Sequence, residues 1–384
     1  MAAAKRKQRG VALLMVLALV ALLGSVAADF LYTSRIEAEL AFGARDALQA
    51  EYNAMSALRM RALLLKQVRK VQQAAKLFPG MEQMPIGQLI DMIPVECGLM
   101  NAITRRVSSV DRPAAGKGDG ADQEAADDFF LGECMAASES EHAKIPINLL
   151  RAHIQDRATT VGMMLIGILS DPRLRKYFEA EDEAGGRAET PQLLTQSITD
   201  WIDSDHSEAL NLGDEDRHYQ SLRDPYRAKN APFDSVAELQ LVYGMSDALY
   251  ERLVGQVTIY KDNPAIELNS ASIDTILRFL PAVLKDGVTL EMVAPAWPSL
   301  VMRLRVVRNM ASTIPFSIGI FKQLCQQSGI GNLIDDGKIG KVFSDSSSTT
   351  WYTLMAEGRM GKATRRIRAV FQASEGQFYY ARFD

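Results

Sequence analysis

The segment KRKQRGVALLMVLALVALLGSVAADF, residues 5–30, decides how the fold begins. Four basic residues precede Gly10, and an apolar run over residues 11–28 follows before the first acidic charge at Asp29. A helix rises about 1.5 Å per residue, so the run is about 27 Å long, close to the roughly 30 Å hydrocarbon core of a bilayer. The run therefore predicts a membrane-spanning helix whose basic end stays in the cytoplasm.

Two other interpretations of the same segment stay open. A cleaved secretory signal would use the small residues Val26 and Ala28 before a cut at Asp29, although its apolar part is usually only 7 to 15 residues long. Alternatively, the direct junction between the basic leader and the apolar run looks like a prepilin cleavage site. A membrane peptidase would then cut after Gly10 and leave Val11 as the new N-terminus.

The sequence after the apolar run predicts that the helix continues. Residues 30–77 contain no proline and one glycine, Gly43, and they are rich in Ala, Leu, Glu, Gln, Arg and Lys, which favour helices. Apolar residues recur at spacings of three and four, and Pro79 and Gly80 end the pattern. A spine helix over 11–79 fits a prepilin better than a cleaved signal. A short linker followed by a separate helix is the alternative.

Composition excludes several classes of protein. The chain has 384 residues, 47% of them hydrophobic, and a formal net charge of -4, which gives no bias towards nucleic acid. The three cysteines have no CxxC spacing and the four histidines are scattered, so a zinc site of the usual spacing is not expected. The sequence carries no nucleophile elbow, metalloprotease motif or phosphate loop, and we predict that the protein is not an enzyme.

The remaining chain predicts a helical region followed by a sheet. Mainly helical patterns cover residues 146–180, 192–203, 234–259, 270–284 and 289–309. Strand patterns separated by turn signals cover residues 349–357, 363–373 and 377–384. The predicted fold class is α+β, with an N-terminal spine helix, a C-terminal antiparallel sheet and a large helical insertion between them.

The stretch DWIDSDHSEALNLGDED, residues 200–216, concentrates negative charge. Its carboxylates are Asp200, Asp203, Asp205, Glu208, Asp214, Glu215 and Asp216. The stretch contains no lysine or arginine, and the first basic residue after it is Arg217. Clustered carboxylates repel one another, and calcium, which takes six to eight oxygen ligands, would relieve this repulsion. The spacing is not that of an EF-hand, because Glu208 stands where glycine is needed. A solvated acidic loop is the alternative.

Four motifs occur here in the order found in one protein family. TDWIDSD (199–205), GDEDRHY (213–219), DPYRAKNAPFDSVAELQLVYGM (224–245) and IELNSASIDTILRFL (266–280) resemble the K-type minor pseudopilins of type II secretion systems. The resemblance implies a pilin-like fold. It divides the chain into a leader (1–10), a transmembrane and spine helix (11–79), a first part of the head (80–145), a helical insertion (146–310) and the C-terminal sheet of the head (311–384).

The resemblance also implies a metal site and a position in a fibre. The family binds calcium in its helical domain, and Asp203, Asp205 and Glu215 fall on its acidic pattern. Asp200 and Asp216 are added as contributors. Most pilins carry glutamate at the fifth mature position, which here is Met15. A buried carboxylate costs a few kcal/mol in hydrocarbon unless it is paired, so its absence suits a subunit with nothing above it.

The expected function is therefore assembly of a secretion fibre. The protein would sit in the inner membrane as a single-pass protein with its bulk in the periplasm, at the tip of the pseudopilus. Its partners would be I-type and J-type minor pseudopilins, the major pseudopilin and the prepilin peptidase. The alternative function is a membrane-anchored periplasmic calcium-binding adhesin or hydrolase.

The cysteines give one further expectation. Cys97 and Cys134 flank the acidic loop 113–128, which has no periodicity and is predicted to be mobile. In an oxidising periplasm the two residues could form a disulfide, with two buried free thiols as the alternative. Cys325 is predicted to be a core residue.

Overall fold

The structure is a computed structural model. It describes residues 4–75, 95–110, 130–151, 155–171, 173–179, 190–204, 215–310, 316–345 and 350–383. The strands are β1 (Val95–Glu96), β2 (Glu133–Ser140), β3 (Ile145–Pro146), β4 (Val257–Thr258), β5 (Ile266–Glu267), β6 (Phe343–Ser344), β7 (Trp351–Met360), β8 (Ala363–Gln372) and β9 (Gln377–Phe383). The helices are α1 (Ala4–Ala75), α2 (Cys97–Val110), α3 (Gln155–Leu169), α4 (Arg175–Glu179), α5 (Pro191–Ile202), α6 (Asp216–Gln220), α7 (Asp247–Leu253), α8 (Ile273–Arg278), α9 (Leu290–Val293), α10 (Trp297–Met310), α11 (Ile318–Gln327) and α12 (Asp336–Val342).

The first element, α1, is one uninterrupted helix of 72 residues. The alternative of a linker after the apolar run is therefore wrong. The predicted end of the helix, at residue 79, lies outside the described residues. Within the described part of the chain, one helix is long and apolar enough to cross a membrane, and its apolar window is fully exposed. The apolar half of α1 therefore projects away from the folded head.

The second half of α1 packs on an antiparallel sheet with the strand order β1-β2-β7-β8-β9. The helix contacts β2, β7 and β8, and its small residues Ala50, Ala54 and Ala57 are fully buried against them. Gly358 in β7 makes the close approach possible, because a Cβ at this position would overlap the Ala50 carbonyl oxygen. The three predicted C-terminal strands are all present, and β2 extends their meander.

A disulfide joins Cys97, at the start of α2, to Cys134 in β2. The Cα atoms of the two residues are 5.0 Å apart, and both side chains are buried beside α1. The bridge fixes α2 to the sheet. The predicted mobile loop, residues 113–128, lies outside the described residues.

The helical region forms a second core between β2 and β7 in the chain. This core does not end at residue 310, where the sequence placed its boundary. Helices α11 and α12 follow, and their residues Phe321 and Ile339 are fully buried in the same core. Residues 318–342 therefore belong with the helical region, and the C-terminal sheet begins at Trp351.

The segment 234–259 is less helical than predicted. It contains a 3-10 turn over Val236–Leu241 and the short helix α7, and then β4 begins. Ser235 and Ser246 each accept a backbone hydrogen bond as an N-cap, and Gly244 between them has a positive φ of 83°. Two helix starts and a left-handed residue within one stretch prevent a continuous helix.

A buried polar junction attaches the helical region to the sheet. Glu141, just after β2, accepts hydrogen bonds from Lys144 Nζ at 2.6 Å and Thr353 Oγ1 at 2.5 Å. Lys261, which follows β4, donates from Nζ to the carbonyl oxygens of Lys144 at 3.0 Å and Ala265 at 2.9 Å. Burial lowers the pKa of Lys261 to about 7.

The junction lies at the end of the sheet that is farther from the apolar half of α1. A Cβ on Gly361, in the β7–β8 turn, would contact Asp46, whereas one on Gly376, in the β8–β9 turn, would contact Lys66. The β2 exit and the start of β7 lie at the Lys66 end, because Ser140 pairs with Tyr352. The predicted fold class is confirmed: a spine helix, an antiparallel sheet and a helical region inserted between strands.

Candidate metal site

The acidic residues converge where α5 ends and α6 begins. Helix α5 starts at an N-cap, Thr190, whose side chain accepts from the Leu193 N–H, and at Pro191 in the first turn. Its last turn carries Asp200, and its C-cap is Asp203. Glu215 is the N-cap of α6. Two helix ends therefore bring residues that are twelve or more positions apart to one place.

Asp200, Asp203 and Glu215 form a compact carboxylate group. Each offers an oxygen, and these oxygens all lie within 4.8 Å of one another. Asp200 is 9% exposed and Glu215 only 3% exposed. Three carboxylates at this separation, two of them almost out of water, repel one another strongly. A divalent cation would offset that repulsion.

An aromatic cluster forms one wall beside the carboxylates. The ring centroids of Trp201 and Tyr219 are 5.4 Å apart, and those of Tyr219 and Tyr226 are 5.2 Å apart. The Tyr243 N–H donates to the Tyr219 hydroxyl oxygen at 3.2 Å. Burial raises the pKa of Tyr219, and the neighbouring Tyr226, Asp200 and Glu215 raise it further. The tyrosine therefore stays neutral and serves as a packing residue.

Asn230 anchors the following loop to the site. Its backbone N–H donates to the Trp201 carbonyl oxygen at 2.9 Å, and its φ of 50° is left-handed. Asparagine tolerates this conformation better than most residues. The sequence flagged Asn230 only as part of a family motif, and its positive φ explains why an asparagine stands there.

The structure brings together part of the predicted ligand set. Asp200, Asp203 and Glu215 are within reach of one ion, whereas Asp216 is engaged elsewhere. Asp216 Oδ1 accepts from the Ala228 N–H at 3.0 Å, and Oδ2 lies 3.7 Å from Arg227 Nε. Asp205, together with Glu208 and Asp214, lies outside the described residues. Adjacent acidic residues in sequence thus have different roles, because α6 turns their side chains in different directions.

The donor set fits a hard cation. Three carboxylates offer up to six oxygens, and calcium takes six to eight oxygens at flexible geometry. The set contains no sulfur or imidazole, which zinc prefers. The chemistry of Asp200, Asp203 and Glu215 therefore suits a hard divalent cation such as calcium.

The other family motifs have structural roles. Glu238 completes a capping box with Ser235, and its carboxylate also accepts from Lys229 Nζ at 2.8 Å. Asn269 Oδ1 accepts from the Phe316 N–H at 2.7 Å. Arg308 Nη1 donates to the Asn269 carbonyl oxygen at 2.6 Å. These contacts hold the loops of the helical region to its core.

Comparison with known proteins supports the sequence resemblance. The family described as "Type II secretion system (T2SS), protein K" matches residues 174–262, the part that contains the carboxylate group. A protein named Type II secretion system protein K from Pseudomonas aeruginosa is 33% identical over 149 residues, 38% of this chain and 44% of that protein. One of the same name from Klebsiella pneumoniae is 41% identical over 69 residues, 18% of this chain and 21% of that protein.

Each matched stretch therefore spans less than half of the relative's own length. Among solved structures, a chain in the crystal structure of the GspK-GspI-GspJ complex from the enterotoxigenic Escherichia coli type 2 secretion system aligns with a TM-score of 0.49. The alignment has 15% sequence identity and covers 75% of this chain and 93% of that chain.

Proposed function

We propose that this chain, whose predicted resemblance to the K-type pseudopilins of type II secretion is confirmed over residues 174–262, is a minor pseudopilin that helps to assemble the secretion fibre. The observation that carries the proposal is the joining of that helical domain to a head built on α1. A globular enzyme or adhesin needs only a short anchor. A helix that runs from an apolar segment into the core of a sheet suits a subunit that packs through its helix.

The proposed location follows from the charges around the apolar segment. Lys5, Arg6, Lys7 and Arg9 precede the run, so they would remain in the cytoplasm and the head would lie in the periplasm. The buried Cys97–Cys134 disulfide agrees with an oxidising compartment. We place the protein in the inner membrane as a single-pass protein, processed by the prepilin peptidase between Gly10 and Val11.

The proposed position is the tip of the fibre. The helical region attaches at the end of the sheet nearest Lys66, roughly 57 Å along α1 from the end of the apolar run at Ala28. A subunit stacked above would meet this region. Met15 adds a second argument, because it places no carboxylate in the membrane to neutralise the amine of a subunit above. Both features support a subunit that begins or caps the fibre.

The proposed metal is calcium, held by Asp200, Asp203 and Glu215. An ion bound at the end of α5 and the start of α6 would hold together two helices that are separated by residues 203–215 in the chain. Ligands that bind only the native state stabilise it by RT ln(1 + [L]/Kd). The ion would therefore stabilise the helical region, and no catalytic step is assigned to it.

The proposed partners are I-type and J-type minor pseudopilins, which would pack against α1. The major pseudopilin would lie below them in the fibre. The face of α1 opposite the sheet carries exposed apolar side chains, including Leu48, Tyr52 and Leu63. These residues share one side of the helix at the spacings that favour helix packing. The apolar side chains thus form a second stripe, separate from the one that covers the sheet.

Crosslinking tests this proposal. Tyr52→Cys in the full chain should form a disulfide with cysteines placed on the spine helices of co-expressed I-type and J-type subunits. Arg305→Cys, on the exposed side of α10, is the matched control and should not crosslink. Crosslinks that place the major pseudopilin above the helical region, or none from Tyr52→Cys, would contradict the assignment.

A further inference from the structure

The helical region contains a cavity of about 590 Å³ between α3, α8 and the start of α10. Its wall is mainly apolar and includes Met163 on α3 and Trp297 on α10. Its charged side chains lie together, because Asp171 Oδ2 is 2.6 Å from Arg173 Nη2 and 3.6 Å from Arg278 Nη2. Small-molecule sites of about 300–1,000 Å³ commonly combine an apolar wall with a few polar groups in this way.

A second cavity, of about 390 Å³, adjoins the first. Asp171, Arg173 and Arg278 line both cavities and form a charged border between them. The second cavity continues between α4 and α7, where Lys176 and Arg252 line it. An apolar cavity and a polar one therefore meet at the charged border.

Basic side chains outnumber acidic ones around the second cavity. The charged residues that line it are four basic ones, Arg173, Lys176, Arg252 and Arg278, and two acidic ones, Asp171 and Glu251, which gives a net charge of +2. Asp274, which lines the first cavity 4.0 Å from Arg278, lowers this excess without removing it. The surroundings of the charged border therefore attract an anion.

Two of these basic side chains have no carboxylate partner among the described residues. Lys176 and, less strongly, Arg252 lower the pKa of the Tyr177 hydroxyl, so both side chains reach this tyrosine. Neither makes an ion pair with a carboxylate of the described chain. Asp171, in contrast, is held by Arg173, whose hydrogen bond lowers the pKa of the carboxyl group. The described residues therefore leave positive charge in the second cavity that they do not neutralise.

From these two cavities we propose that the helical region binds a small amphipathic carboxylate. Its apolar body would fill the first cavity beside Trp297, and its carboxylate would lie at the charged border, facing Lys176 and Arg252. Arg173 donates to Asp171 through Nε and Nη2, and its Nη1 would donate to the ligand. The site shares no residue with the candidate metal site, and the inference goes beyond the proposed role in fibre assembly and does not depend on it.

A peptide or an inorganic anion fits the cavities less well. The first cavity is built largely from α3 and α8, whose backbone groups are hydrogen-bonded within each helix. A peptide in this cavity would leave its own N–H and C=O groups without partners, at a cost of about 1–3 kcal/mol for each buried group. An inorganic anion would leave the apolar wall uncovered. An organic anion with an apolar body avoids both costs.

The test uses two probes that share a dansyl ring system. Dansylglycine carries a carboxylate, and dansyl ethylenediamine carries an ammonium group. The full chain is reconstituted in phosphatidylcholine vesicles, and Trp201→Phe with Trp351→Phe leaves Trp297 as the one tryptophan of the chain. Energy transfer from Trp297 to the dansyl group reports binding in the first cavity, and empty vesicles correct for partition into lipid. We expect saturable transfer to dansylglycine, with the amine probe at least about tenfold weaker.

Variants of the two cavities separate the charged and the apolar parts of the site. Lys176→Glu with Arg252→Glu should weaken dansylglycine by about tenfold and favour the amine probe. Arg305→Glu with Lys362→Glu changes the total charge equally at two exposed residues away from the cavities, and it should change neither affinity. Ala282→Leu places three more carbon atoms in the first cavity and should weaken both probes.

Three outcomes would overturn the proposal. The first is a lack of saturable transfer from Trp297, and the second is an equal affinity for the two probes in wild type and in the charge-reversed variant. The third is binding that appears only after Glu181, Asp182 and Glu183 are replaced by glutamine. This result would show that the acidic segment which follows α4 in the chain, and not a separate ligand, neutralises the second cavity.

Discussion

The direction of a side chain decides whether a carboxylate joins the candidate metal site. Asp200, Asp203 and Asp216 illustrate this. All three belong to the same acidic stretch of sequence, but only the first two face Glu215. Asp216 instead accepts from the Ala228 N–H and so fastens the loop after α6. The sequence predicted all three as metal ligands because composition and spacing do not define the direction of each carboxylate.

We predict that calcium raises the melting temperature of the full chain and that a chelator removes the increase. Asp203→Asn should abolish most of this shift, because it removes one of three clustered charges. Asp216→Asn should retain it, since its carboxylate lies outside the group. Asp224→Asn, an exposed acid nearby, is the control. A shift that survives Asp203→Asn combined with Glu215→Gln would exclude this site.

Gly358 is the residue that sets the approach of α1 to the sheet. A Cβ there would overlap the Ala50 carbonyl oxygen and crowd the Asn53 side chain. Backbone atoms on a long buried helix cannot move without separating the helix from β7. The Gly358→Ala variant should therefore lose about 1–3 kcal/mol of stability, as overpacked cores do.

Thermal unfolding of the full chain in detergent would measure the Gly358→Ala effect. Gly340→Ala in α12 provides the matched control, because its added Cβ would meet nothing within 4 Å. Alanine is the better helix former, so this control should be neutral or stabilising by up to about 1 kcal/mol. Equal melting temperatures for Gly358→Ala and wild type would show that α1 can retreat from β7 without cost.

At the scale of elements, the junction between β2 and β4 holds the helical region to the sheet. Lys261 is 3% exposed, and its amine is surrounded by backbone carbonyl oxygens and by the buried carboxylates of Glu141 and Glu267. The carboxylates favour the charged amine, but the cost of burial is larger and lowers its pKa to about 7. The junction therefore carries a buried charge that destabilises it at neutral pH.

The pH dependence of stability should reveal this charge. An unfolded lysine has a pKa near 10.5, so the unfolded chain binds the proton more tightly than the folded one. Below pH 7 the amine is protonated in both the folded and the unfolded chain, so the full free-energy cost of burying its charge is present. As pH rises from 7 to 10.5, the folded amine loses its proton first and the cost falls.

We therefore expect wild type to gain stability relative to Lys261→Met over that range. Urea unfolding of both proteins across this pH range would measure the difference in their free energies of unfolding. The titrations of other groups are common to both proteins and cancel in this difference. Lys285→Met, at an exposed lysine, should show no such trend. A constant difference between wild type and Lys261→Met would mean that Lys261 stays protonated throughout.

Local patterns predicted the elements better than the way they join. Helix α1 and strands β7 to β9 follow from residue type and periodicity within each segment. The region 234–259 was predicted as more helical than it is, because Ser235 and Ser246 can cap helices as well as continue them. The membership of α11 and α12 in the helical core, and the Lys261 junction, depend on contacts between distant residues that periodicity does not encode.

At the scale of the whole molecule, one helix connects two very different environments. Its apolar half is exposed and long enough for a bilayer, and its second half is part of the head's core. The helical region stands at the far end of the sheet. This arrangement supports the proposed position at the end of a fibre, because the helix could join a bundle below while the helical region would block the position above.

The intact mass of the chain after co-expression with a prepilin peptidase tests the pseudopilin assignment most directly. The account predicts a mature protein that begins at Val11, because the basic leader meets the apolar run at Gly10. A Gly10→Leu variant should remain uncut and serves as the control. A mature protein that begins at Asp29 would identify a secretory signal, and an uncut chain in wild type would identify a plain membrane anchor; either result would contradict the account.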